Sequence, residues 1–173
     1  MAHIRMVPVD EATGSLKALY ERLAYPDGRV DEGYTVLSLH PELLEANAAL
    51  YRELLHEASP LTRRERELIA VTASRVNGCV RCERHHGARY AALGGEPEFP
   101  KSRLDRMVAF VEKVTKEPGA VTGADVDQLR EAGFEDRAIL DITAVAAYFA
   151  FANRMTQALG LSEDTAVPGE PSP

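Results

Sequence analysis

Leu61–Gly87 reads LTRRERELIAVTASRVNGCVRCERHHG, and this stretch decides how the chain folds. Thr62 followed three residues later by Glu65 is a capping-box pattern, in which each side chain reaches the other residue's backbone N–H, so a helix starts here. Leu68, Ile69, Val71, Thr72 and Val76 carry that helix forward at helical spacing, and Asn77-Gly78 stops it. The stop falls directly before Cys79. A second helix begins near Cys79, runs to Ala92 and ends at Gly94-Gly95.

Outward from this core the periodicity stays helical. Glu11 to Ala24 places Leu16, Leu19, Tyr20 and Leu23 on one face. Tyr25 to Gly33 is turn-rich, with Pro26 and Gly28 as breakers. From Pro41, PELLEANAALYRELLHEA reads as a long helix with proline in its first turn, where a missing N–H costs nothing. Beyond a linker at Glu96 to Pro100, Lys101 to Lys116 is amphipathic. Thr122 with Asp125 starts a short helix ending at Gly133, and Glu135 to Leu159 is long and Ala-rich. No strand pattern emerges. The fold class is all-α, with about seven helices in one domain over residues 1–161 and a Pro/Gly/Ser-rich, disordered tail over 162–173.

Composition narrows the function. The 173 residues carry a formal charge of −7, which leaves no excess of Lys and Arg to neutralise phosphates and argues against nucleic acid as a partner. The N-terminus has no uninterrupted apolar core of a secretory signal, and the apolar run Ile139 to Phe151 is short for a membrane span. A cytoplasmic protein without membrane association is the expectation. In a reducing cytosol two close cysteines point to catalysis or metal binding rather than to a structural staple.

A Cys-x-x-Cys pair opening a helix brings two sulfurs within disulfide reach, and the helix N-terminus favours a thiolate on the first of them, Cys79. His86 lies one turn beyond Cys82 on the same face, where an imidazole can accept a thiol proton. His85 is rotated by about 100° from it and is expected to face another environment. A metal site is the competing reading. Cys79, Cys82, His85 and His86 crowd one helix, however, and His3, His40 and His56 supply no second pair to close a tetrahedron. No metal and no cofactor is therefore expected. Taken alone, Glu67 reads as a solvated charge in the run RRERE.

Together, Glu67, Cys79, Cys82 and His86 form the pattern E-x11-C-x-x-C-x3-H, and the run Leu61–Gly87 around them resembles the alkylhydroperoxidase D-like superfamily, which includes the carboxymuconolactone decarboxylase family. The likeness is strongest to its peroxidase-related branch and extends over roughly Val7 to Leu161. It implies an alkylhydroperoxidase D-like helical bundle, a homo-oligomer (trimer or hexamer), and a thiol peroxidase acting on hydrogen peroxide or small organic hydroperoxides. By that resemblance Cys82 attacks the O–O bond, Cys79 resolves the product as a disulfide, and Glu67 and His86 form the proton relay. An external dithiol reductant or reductase protein then restores the thiols. The family assigns attack to Cys82, whereas the helix-dipole argument favours Cys79. The chain also departs from the characterised enzymes, which place a relay histidine just before the second cysteine: Arg81 stands there, a permanent cation that stabilises a thiolate but does not shuttle protons. A redox-sensing dithiol without turnover and a carboxymuconolactone decarboxylase-like enzyme are the alternatives, though such decarboxylases generally lack the cysteine pair.

Overall fold

In the computed structural model, which describes residues 2–94 and 100–161, eight α-helices form and no strand appears among those residues. They are α1 (Gly14–Leu23), α2 (Glu32–Thr35), α3 (Pro41–Leu55), α4 (Arg63–Val76), α5 (Val80–Ala92), α6 (Lys101–Lys116), α7 (Gly123–Glu131) and α8 (Asp136–Ala158). Seven of them are the helices read from the sequence. The short α2 falls at the end of a stretch expected to be turns: Asp31 caps it by accepting a hydrogen bond from the Gly33 amide at 2.7 Å. The expected disordered tail, and most of the expected linker before α6, lie outside the described residues.

The chain separates into two compact units, Met1–Tyr51 with Met155–Pro173, and Arg52–Arg154. In the first, Leu16, Leu19 and Tyr20 of α1 pack with Val36, Leu37 and Leu44. The Tyr20 hydroxyl donates to the carbonyl of Val7 at 2.9 Å, and the Val7 amide donates to Ser38 Oγ at 2.9 Å, so the N-terminal segment is pinned by polar contacts as well as by its apolar face.

The second unit holds the helices that matter for the site: α4 packs against α5 and α6, and α6 against α7. The capping box opens α4 as read from the sequence, with the Glu65 amide donating to Thr62 Oγ1 at 3.1 Å and the Thr62 amide donating to Glu65 Oε2 at 2.9 Å. Glu65 does more than cap. Its other oxygen accepts from Arg103 Nε at 3.3 Å, and the Arg103 guanidinium lies 3.6 Å over the Phe134 ring and donates to the Gly133 carbonyl at 2.8 Å. One buried cation thereby ties the start of α4 to the end of α7.

The Asn77-Gly78 stop is a Schellman turn. The Cys79 amide reaches back to the Ser74 carbonyl at 2.9 Å and the Gly78 amide to Arg75 at 3.0 Å, with Gly78 at φ +68°, in the left-handed region that suits glycine. Cys79 is thus both the residue that closes α4 and the N-cap of α5. At the other end of the unit, α8 is the long Ala-rich helix read from Glu135 to Leu159, and by length and composition it could cross a bilayer (mean hydropathy 1.2 over its most apolar stretch). Here it serves as a packing helix, with Ile142, Val145, Phe149 and Asn153 buried. Asn153, with no exposed surface, accepts from Asn77 Nδ2 at 2.9 Å and donates to Ser74 Oγ at 3.1 Å, fastening the end of α4 from outside.

Candidate functional site

The turn at Gly78 delivers Cys79 to the head of α5, and one helical turn brings Cys82 beside it. The two sulfurs stand 2.6 Å apart as thiols with no disulfide between them, and the Cys79 thiol donates its proton toward Cys82. Both residues are buried, Cys79 at 1% exposure and Cys82 at 7%. Donating that hydrogen bond is the largest influence on Cys79 and, with burial, pushes its thiol far above the usual cysteine range. The backbone amide of Cys82 and the charge of Arg81 pull the other way and are outweighed. The Cys79 thiol is thus raised, the reverse of what its place at the helix N-terminus implies.

Glu67 lies in the interior of the second unit with no exposed surface, not in solvent as the local run RRERE indicates. Two apolar or small residues follow it on its own helix face, and α5 covers that face. The Glu67 carboxylate is bound at both oxygens. Oε2 meets His86 Nδ1 at 2.7 Å, and Oε1 accepts from Arg63 at 3.1 Å (Nε) and 2.6 Å (Nη2). Burial alone raises a carboxyl pKa, but the hydrogen bonds and charges of His86 and Arg63 overcome it and hold Glu67 at about 2. An ionised carboxylate only accepts, so His86 presents its Nδ1–H to Glu67.

His86 is itself buried, its ring set edge-on to Phe149 at 4.6 Å between centroids. His85 does not face a separate environment. It is buried too, and its ring meets that of His86 edge-on at 5.0 Å. The burial of α5 is wide enough to cover two adjacent positions. Arg81 is buried beside the cysteines, close enough for its charge to act on Cys79. Thus of the residues singled out from the sequence, the structure joins Cys79 to Cys82 and Glu67 to His86 by direct contacts. Cys82 and His86 lie one turn apart on α5.

Two participants have no local signal in the sequence. Arg63 belongs to the same charged run as Glu67, and His56 lies beyond the end of α3. The Arg63 guanidinium nonetheless bridges them, donating from Nη1 to His56 Nδ1 at 2.8 Å and from its other nitrogens to Glu67. Among the described residues no group of three or more His, Cys, Asp or Glu is arranged to hold a metal ion.

Comparison with known proteins places this arrangement among relatives. Residues 41–99, which include all four residues of the pattern, match the carboxymuconolactone decarboxylase family. A peroxidase-related protein from Silicibacter sp. TM1040 superposes with a TM-score of 0.77 at 30% identity, over 96% of this chain and 91% of that one. An alkylhydroperoxidase AhpD core protein from Ralstonia eutropha JMP134, also peroxidase-related, superposes with a TM-score of 0.79 at 26% identity, over 93% of this chain and 91% of that one. Sestrin-2 of Mus musculus is 35% identical over 112 residues, 61% of this chain but 23% of its own length. The match to this chain thus spans about a quarter of that curated relative.

Proposed function

We propose, for a chain that belongs to the alkylhydroperoxidase D-like and carboxymuconolactone decarboxylase superfamily, a thiol-dependent peroxidase that reduces hydrogen peroxide or small organic hydroperoxides. The observation that carries this reading is the contact between the Cys79 and Cys82 sulfurs at the head of α5, one helical turn before a histidine that is paired to the buried Glu67 carboxylate.

In the first step the Cys82 thiolate attacks the outer oxygen of the hydroperoxide. The S–O bond forms, the O–O bond breaks, and the alkoxide leaves with a proton supplied through His86, giving an alcohol (or water) and a Cys82 sulfenic acid. Cys79 then attacks that sulfur, expelling water and closing the Cys79–Cys82 disulfide. An external dithiol reduces the disulfide and is itself oxidised to a disulfide, so the two electrons taken by the peroxide come from the reductant. Glu67 holds Nδ1–H of His86 and thereby leaves Nε2 to exchange the proton. Arg81 adds positive charge near the sulfurs in place of a relay histidine. The deep burial of both sulfurs favours small hydroperoxides over bulky ones. We place the cycle in the cytoplasm, in a homo-oligomer (trimer or hexamer), with a small dithiol or a reductase protein as electron donor.

The test is reductant-coupled consumption of peroxide by the wild type, Cys79→Ser and Cys82→Ser. Turnover should vanish in Cys82→Ser, while Cys79→Ser should consume one equivalent of peroxide and stop. A wild type that reacts once and never turns over with any dithiol would replace the enzyme by a redox sensor.

A further inference from the structure

The charged run at the start of α4 contains a residue whose position runs against local electrostatics. Arg63 is the first residue of α4, where the positive end of the helix dipole disfavours a cation. Its side chain nevertheless turns inward, and its three nitrogens are committed in two directions: Nε and Nη2 to Glu67 Oε1, and Nη1 to His56 Nδ1. A guanidinium is a planar fork, so fixing it at both ends fixes the carboxylate it holds. With Oε1 taken, Oε2 is the oxygen left for His86.

We propose that Arg63 is a positioning residue for this site: clamped from outside by His56, it balances the charge of Glu67 and aims its second oxygen at His86, so that the imidazole is held in one orientation beside Cys82. Without Arg63 the buried carboxylate loses the fork that fixes it and a positive charge leaves the site, so the imidazole loses its hold beside Cys82. Other ionisable groups stand around this pair. On α4, Arg66 lies within electrostatic range of Arg63 and Glu67, and from α8 Asp141 acts on Arg66. On α5, His85 meets the His86 ring, and Cys82 lies one turn before it. His56, from the segment after α3, is the one that contacts Arg63 from the half-exposed side. Resting on the peroxidase reading for the roles of His86 and Cys82, the proposal adds two residues, Arg63 and His56, that the four-residue pattern does not contain.

The experiment measures thiol alkylation by iodoacetamide as a function of pH, which needs no peroxide, and the protonation of the His86 ring by nitrogen NMR. In Arg63→Gln the acid limb of the alkylation profile should move up by about one pH unit, a rate loss of about tenfold at neutral pH, and the Nδ1–H tautomer signal of His86 should be lost. Arg63→Lys, which keeps the charge but not the fork, should recover part of the shift. His56→Ala removes only the outer clamp and should move the limb the same way by less, which decides the matter should Arg63→Gln fail to fold. A lowered melting temperature with an unmoved pH profile and an unchanged His86 signal would make Arg63 a structural ion pair and overturn the proposal. A shifted profile in a protein that never turns over peroxide would refute the peroxidase reading while leaving the assignment of Arg63 standing.

Discussion

Replacing Glu67 by glutamine removes a charge from the interior while keeping the side chain's shape. Glu67 has no exposed surface and its carboxyl is lowered from 4.5 to about 2, because the hydrogen bonds and charges of His86 and Arg63 outweigh the penalty of burial. At about 1.4 kcal/mol for each tenfold change in proton affinity, this lowering corresponds to about 3 kcal/mol of stability at neutral pH. A similar figure, about 3–5 kcal/mol, follows from the general cost of removing one partner of a buried ion pair. The sign is set by the depressed value: the contribution is complete above about pH 5, where the unfolded carboxyl is also ionised, and is lost as pH falls toward 2. By pH 3 about 2 of those 3 kcal/mol are gone. Urea unfolding of wild type and Glu67→Gln between pH 7 and pH 3 measures this directly. Other lowered carboxyls, such as Asp125 beside Lys113, titrate in both proteins and cancel in the difference. The wild type should be more stable by about 3 kcal/mol at pH 7, and the gap should close by more than half at pH 3. A gap that stays constant across that range would show that Glu67 does not change its ionisation on unfolding, and the electrostatic account of the site would fall with it.

Two further substitutions probe how the dithiol is held. Gly78→Ala should cost about 1 kcal/mol in chemical denaturation, since φ is +68° and an added Cβ meets no atom within 4 Å, so the penalty is that of the backbone alone; an alanine variant as stable as wild type would contradict the left-handed turn. Asn153→Ala should cost about 2–3 kcal/mol, because it takes a buried hydrogen-bond partner from both Ser74 and Asn77. A loss below about 0.5 kcal/mol in the same assay would mean that the network does not fasten the end of α4.

Legible in the sequence is what lies within a turn or two of helix. Thr62 and Glu65 mark the start of α4 because capping is a contact over three residues. Asn77-Gly78 marks its end because only glycine takes that φ without strain. The single turn of helix at Glu32–Thr35 is too short to show a period. Asn153 lies beyond reach for a different reason: its partners are 76 and 79 residues away, and an asparagine inside an Ala-rich helix carries no local mark of them. Glu67 and Arg63 are obscured by their surroundings, since five charged residues in succession read as a wet helix face. They become a buried pair only when α5 lays His86 across them.

The two cysteines show most clearly why local rules and packing part company. A helix N-terminus lowers a thiol by at most about 1 kcal/mol at a surface, and less once other interactions compete. That effect is present at Cys79, where the Cys82 amide and the Arg81 charge both pull downward. Against it stand a donated hydrogen bond to a sulfur 2.6 Å away and the desolvation of a residue with 1% exposure. Inside a protein the hydrogen bond and the lost solvent outweigh the dipole, so the Cys79 thiol is raised rather than lowered. Spacing alone does not show this, because C-x-x-C fixes how near the sulfurs come but not which of them donates. The turn at Gly78 sets Cys79 at the N-cap of α5, and packing around that turn, which spacing does not encode, strips it of solvent.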